Sequence, residues 1–319
     1  MAHEEQRIAQ RFAALAPEAR RAFLARMRDK GLSFAELPIV PADRGQPLPL
    51  SHAQQGLWLT WQMDPDSPAY NLPGVLWLEG PLDVGALQRS LDEVVARHES
   101  LRTVFGADDN GQGVQKVLAP ASVPLPLIEA QGRDDEATRA WAQAFATQPF
   151  RLGRDGPFRA VLRRTDAHCH QLALAVHHIA ADGQSLAVLI DELVCLYEAH
   201  ATGRQAMLPP VPIQAVDHAV WQRHWMEAGE KEHQLAHWQA RLGDEHPVLA
   251  LPMDRVRGSG APSREGRHAF RLSRALSQDL RAVARASGMS LYMMMLSAFA
   301  LALHRFSGQT DLRIGVPIS

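Results

Sequence analysis

The chain has 319 residues, 46% of them hydrophobic, which is enough for one large or two ordinary domains around a real core. Its 33 Lys and Arg against 35 Asp and Glu give a formal net charge of −2, so there is no electrostatic case for nucleic acid or an anionic membrane as partner. Two cysteines, Cys169 and Cys195, make neither a disulfide framework nor metal-ligand spacing, which fits a reducing, cytoplasmic setting.

The charged start, Met1-Ala2-His3-Glu4-Glu5, does not read as a signal peptide. Residues 4–31 predict two short amphipathic helices: Ile8, Phe12 and Leu15 share a face, Pro17 suits the first turn of the second helix, and Gly31 ends it. Pro38, Pro41, Pro47 and Pro49 then mark an extended linker. This predicts a helical appendage and linker over 1–47 and a first lobe over 48–212. Ser51 is placed to cap a helix, and a strand is expected at 74–79. A helix over 84–97 turns Leu87, Leu91 and Val94 inward and leads through Arg97-His98-Glu99 into another strand near Phe105.

Further strands are expected at 114–118, 157–163 and 171–177, with a helix over 134–147 whose first turn is acidic, as the helix dipole favours. A helix over 184–200 follows, and then Pro209, Pro210 and Pro212 suggest a crossover into a second lobe over 213–319. That lobe reads as a helix over 216–241, a loop at 251–255, a Gly/Ser-rich patch at 258–266, a strand at 268–272, helices over 276–287 and 290–306, and a closing strand at 311–316. The apolar run 291–303 is shorter than the roughly 18 residues of a membrane span and predicts a buried helix. The mixture is α/β, of the α+β two-layer sandwich type.

The stretch with the most chemistry in it is His177-His178-Ile179-Ala180-Ala181-Asp182-Gly183, between the apolar strand and the helix that follows. Side chains alternate along a strand, so two adjacent histidines at its exit point to opposite sides, and only one can face a given cavity. An unperturbed pKa of about 6.5 suits an imidazole to proton transfer near neutrality. Asp182 either orients the imidazole or pairs with a buried Arg to hold the turn, and Arg102 is the obvious partner, with Glu99 as the alternative partner of that Arg. Gly183 suits a tight turn needing positive φ and leaves the backbone open to a ligand.

Five blocks in order resemble the condensation domain of nonribosomal peptide synthetases, within the chloramphenicol-acetyltransferase-like acyltransferase superfamily, over nearly all of 48–319. They are Ser51-x-Ala53-Gln54-x-x-Leu57-Trp58, Arg97-His98-Glu99-x-Leu101-Arg102-Thr103-x-Phe105, the histidine string 177–183, Asp217-x-Ala219-Val220-Trp221-Gln222-Arg223, and Ile314-Gly315-x-Pro317. The resemblance implies two similar lobes meeting in a V around a tunnel, with the second lobe incomplete at Ser319. It implies peptide-bond formation between substrates on 4′-phosphopantetheine arms of donor and acceptor carrier proteins, beside an adenylation domain and with no cofactor or metal of its own. It selects His178 as the base or positioning residue, with His177, Asp182, Gly183 and Arg102 structural at the site and Asp182 paired to Arg102. The sequence departs from the family at Gly56, where Arg is usual, at Arg151, where Asp is usual, and at Gln184, where Trp is frequent.

Other readings compete. Gly183-Gln184-Ser185 opens a helix after a strand, so Ser185 could mimic a hydrolase nucleophile elbow, although Ala187 stands where that motif needs Gly. His233 and His237 are spaced to share a metal but lack the internal Glu of a zincin. A catalytically silent module that only binds carrier proteins is the third.

Overall fold

The computed structural model describes residues 2–45, 47–130, 132, 134–245, 247–253 and 268–316. They form two compact units, Met1–Leu235 and Ala236–Ser319. In the first, α1 (Ala2–Ala13) and α2 (Pro17–Asp29) make the expected hairpin, with Pro17 at the start of α2 and Gly31 in the left-handed region at φ 68°. After β1 (Leu48–Pro49), Ser51 and Gln54 form a reciprocal cap for α3 (His52–Met63): the Gln54 amide donates to Ser51 Oγ at 3.1 Å and the Ser51 amide to Gln54 Oε1 at 2.9 Å. There follow β2 (Asn71–Glu79), α4 (Val84–Arg97), β3 (Thr103–Ala107), β4 (Gly113–Val117), β5 (Leu127–Glu129), α5 (Asp135–Ala146), β6 (Phe158–Asp166), β7 (Cys169–His177) and α6 (Gly183–Thr202).

Two open sheets result, ordered β1-β4-β3 and β2-β7-β6-β5. Strand β7 lies between two antiparallel neighbours and is buried along its whole length, because period-two alternation gives each face its own core. Leu172, Leu174 and Val176 pack with Leu87, Leu91 and Val94 of α4 and Leu189, Leu193 and Leu196 of α6. Ala173 and Ala175 face the other way, where the volume is already filled by Trp58, Phe105, Phe145 and Phe150. Each fully buried leucine contributes about 1.5–3 kcal/mol, so this pair of layers fixes where β7 ends and hence where the histidines stand.

The expected helix over 216–241 is broken. It ends as α7 (Ala215–Trp225), passes through a π-helical turn containing Gly229 at φ 108°, and resumes as α8 (Lys231–Leu242). Only glycine adopts that φ cheaply, so the chain kinks where the apolar periodicity runs on. The kink seats Ala228 in a cluster with Phe12, Leu24, Met27 and Phe34, with Trp221 and Trp225 of α7 packed against it. The N-terminal hairpin is thus docked on α7 inside the first unit.

In the second unit, Ser273 caps α9 (Arg274–Ala286) and Ser290 caps α10 (Leu291–Ser307), which stops at Gly308 in the left-handed region. The run 291–303 is helical as expected but not buried: Met293, Phe299 and Leu301 are exposed, because burial is supplied by neighbours and not by apolar composition. Residues 268–272 and 311–316 are coil where strands were expected, since a strand needs a ladder partner and neither segment has one among the described residues. The 258–266 patch, residues 254–255 of the 251–255 loop and Pro317 lie outside the described residues. Among those described, no single helix is long and apolar enough to cross a membrane.

Candidate active site

Strand β7 delivers its two histidines to different environments. His177 shares the alanine face of the strand and is 3% exposed, with its ring edge-on to Phe150 at 6.0 Å and tilted against Tyr70 at 6.3 Å. Its Nδ1 accepts the Ile179 amide at 3.1 Å, so the neutral ring carries its proton on Nε2 and the turn is held by its own side chain. Burial, and second the neighbouring His178 charge, lowers the His177 pKa to about 4, so at neutral pH it is uncharged.

His178 is the first residue off the strand. Its amide donates to the Tyr70 carbonyl at 2.8 Å, which fixes the backbone, while its side chain is exposed and its ring makes no hydrogen bond among the described residues. Of the two adjacent imidazoles, one is structural and neutral and the other is anchored at its backbone with a free ring.

Asp182 is the N-cap of α6. Its Oδ1 accepts the Ser185 amide at 2.8 Å and the Ser185 hydroxyl at 2.7 Å, and its own amide donates to Ser185 Oγ at 3.2 Å. The hydrogen bonds from Ser185, together with the charge of His178, hold the carboxyl below its ordinary range against the opposing effect of burial. Asp182 is therefore an anion within electrostatic reach of the His178 ring. The same bonds bind the Ser185 hydroxyl to a carboxylate rather than to an imidazole, which is not the arrangement of a hydrolase nucleophile.

The expected Asp182–Arg102 pair does not form. Arg102 sits in the 3-10 turn Glu99–Arg102, where its guanidinium donates to the carbonyls of Leu118 and Ala96 and lies 3.9 Å from Glu99. An Arg three residues from a Glu in one turn meets it locally, and the nearby carbonyls take up its two terminal nitrogens. Gly183 also departs from expectation: it is the first residue of α6 and its φ is not positive. A Cβ there would meet nothing within 4 Å, so open space adjoins its α-carbon.

The sequence missed the ionic network behind the turn. Glu192, buried on α6, accepts from Arg97 at 3.1 Å and lies 2.7 Å from His98 Nε2, and these bonds lower its pKa although burial alone would raise it. Asp217, 1% exposed, binds Arg44 and accepts the amides of Ala42 and Gln214. The motif blocks contained Arg97, His98 and Asp217, but nothing local marked their partners 95 and 173 residues away. Arg151 pairs at the surface with Asp66, His233 lies 3.6 Å from Glu230, and His237 stands edge-on to Trp238.

Beside the turn lies a cleft of about 370 Å³, bordered by Ala180, Ala181 and Asp182, the 3-10 turn, one face of α6 and the crossover residues Val211 and Ile213.

Residues 45–319 match the Condensation domain family. Chondramide synthase of Chondromyces crocatus is 39% identical over 292 residues, which are 90% of this chain and 7% of that protein's length. The crystal structure of the X-domain from teicoplanin biosynthesis aligns at a TM-score of 0.76 with 31% identity, covering 86% of this chain and 61% of that one. The first condensation domain of the calcium-dependent antibiotic synthetase, in complex with a substrate analogue, shares the fold at a TM-score of 0.64 and 24% identity, covering 85% of this chain and 63% of its own.

Proposed function

The chain belongs to the Condensation domain family of nonribosomal peptide synthetases, with its α/β, chloramphenicol-acetyltransferase-like fold, and on that premise we propose that it joins two carrier-borne substrates through an amide bond. The α-amine of an aminoacyl group on an acceptor carrier protein attacks the thioester carbonyl of an acyl or peptidyl group on a donor carrier protein. The C–N bond forms, the oxyanion collapses, the C–S bond breaks, and the pantetheine sulfur leaves as a thiolate that takes up a proton. His178 takes the proton shed by the amine, or positions that amine. Asp182 caps α6 and neutral His177 holds the turn that presents the ring. The phosphopantetheine arms belong to the carriers, and an adjacent adenylation domain in the cytoplasm loads them.

The observation that carries this reading is the contrast within the pair: His177 is buried and bonded, while His178 presents an exposed ring, free of hydrogen bonds among the described residues, from a fixed backbone. An α-amine has a pKa of about 8, so a base is useful at neutral pH but supplies only about 10²–10⁴-fold of the acceleration. Positioning the two tethered substrates supplies the rest. The test is His178→Ala in the intact protein offered two loaded carriers. Amide formation is expected to fall about 10²–10⁴-fold with the melting temperature unchanged, because an exposed ring adds little to the core. Amide formation at the parent rate would overturn the assignment.

A second reading is supported by the 31% identity with the X-domain, which has also been solved in complex with OxyB. On that reading the chain holds a carrier or partner enzyme without turnover. Carrier binding by the parent protein with no amide product would select it.

A further inference from the structure

The cleft beside the 178–182 turn is not needed to explain proton transfer, yet its construction is that of a binding site. One wall is the crossover segment, which is pinned in place: Arg97 donates to the Pro209 carbonyl at 2.7 Å, Gln214 donates to the Arg97 carbonyl at 2.9 Å, and the Glu99 amide donates to Gln214 Oε1 at 3.1 Å. These bonds join segments 112 to 117 residues apart, so the wall is set by tertiary structure and does not depend on the local chain. The opposite wall is α6, where Val188 is 46% exposed although its neighbour Leu189 is in the core. At about 370 Å³ the cleft falls within the range of about 300–1,000 Å³ typical of small-ligand pockets.

Its chemistry is selective. Leu101, Val188, Val211 and Ile213 supply apolar lining between the polar His98, Ser100, Gln184 and Gln214, and among the described residues neither Lys nor Arg contributes. The one carboxylate on its border, Asp182, is engaged by Ser185. His98 on the lining is engaged by Glu192 and Asp182 by Ser185, so neither is free to pair with a charged side chain, and burial of one is disfavoured. The border residues Ala180, Ala181 and Asp182 belong to the turn that carries His178, and Asp182 is in electrostatic reach of that ring.

We propose that this cleft is a subsite for the uncharged, apolar side chain of a carrier-borne amino acid, with Val188 as the residue that sets the size accepted. The inference rests on the amide-forming reading above. The ligand chemistry is shared by donor and acceptor, and the experiment separates them. Val188→Phe narrows the cleft and Val188→Ala widens it. Both are at an exposed helix position, and thermal melts confirm that each folds. Leucyl and glycyl substrates are compared, first on the donor carrier with a fixed acceptor, then on the acceptor carrier with a fixed donor.

Val188→Phe is expected to lower the leucyl-to-glycyl ratio of kcat/KM by about 10- to 200-fold in one of the two arms, the range that a methylene or two of misfit produces, and the affected arm names the source. Val188→Ala is expected to extend acceptance in the same arm to larger side chains. Unchanged ratios in both arms overturn the proposal. A readout without turnover stands beside it: the methyl resonances of Val188 and Val211 shift on titration with a non-hydrolysable leucyl-pantetheine analogue and not with the glycyl analogue. No shift with either overturns the proposal, whereas failure of the His178→Ala test leaves this binding result intact.

Discussion

Acidification isolates the energetic role of the buried histidine. In the unfolded chain His177 titrates near 6.5, and in the fold burial holds it at about 4. Between those values the unfolded state binds a proton that the folded state refuses, so stability falls as pH falls, beginning near 6.5 and levelling for this group below about 4. The difference corresponds to roughly 3 kcal/mol, a large part of the 5–15 kcal/mol that typically holds a domain folded. His170, His218 and His224 are likewise lowered by burial, and the carboxyls of Asp182, Glu192 and Asp217 are lowered by their hydrogen bonds, so all six act in the same direction. The assay is therefore a comparison: urea unfolding of the parent and of His177→Gln at pH 7, 5.5 and 4.5. The variant is expected to be less stable at pH 7, where the Ile179 amide loses its partner, but its stability should decline less on acidification, by about 2–3 kcal/mol over this range. Parallel curves for the two proteins would refute the claim that the buried neutral imidazole resists protonation.

Two substitutions test the neighbouring geometry. Asp182→Ala removes the cap of α6 and is expected to cost about 0.5–2 kcal/mol by denaturant unfolding, with Asp182→Asn largely sparing it. A loss above about 3 kcal/mol would mean that the carboxylate is also holding a buried guanidinium, contrary to the Arg102–Glu99 pairing seen here. Gly113→Ala places a methyl 2.6 Å from Leu50 Cδ1 and 3.0 Å from Trp58 Cε3, so a loss of about 1–3 kcal/mol is expected in a thermal melt, and an unchanged melting temperature would show that the β4–α3 packing is looser than described.

What could be read from the residues alone was local. Ser51, Pro17, Gly31 and the alternation along 171–177 each act within three or four residues, so the cap of α3, the helix limits and the exit of β7 at the histidine pair follow from chain-neighbour chemistry, and five ordered blocks sufficed to identify the family. What the sequence left open was which groups meet. Both histidines have the same covalent structure, and only the packing of Phe150 and Tyr70 around one of them makes it a neutral post and leaves the other exposed. A buried Arg102 needs a carboxylate, and the sequence offers both Asp182 and Glu99; the fold places Glu99 beside the guanidinium and Ser185 beside the Asp182 carboxylate. Glu192, Arg44 and the pinned crossover, the kink at Gly229 and the coil at 268–272 depend on partners or backbone strain that no short window contains. Propensity and capping are properties of a segment, whereas burial, ion pairing and ladder formation belong to surfaces brought together from distant parts of the chain, and those were decided only when the chain folded.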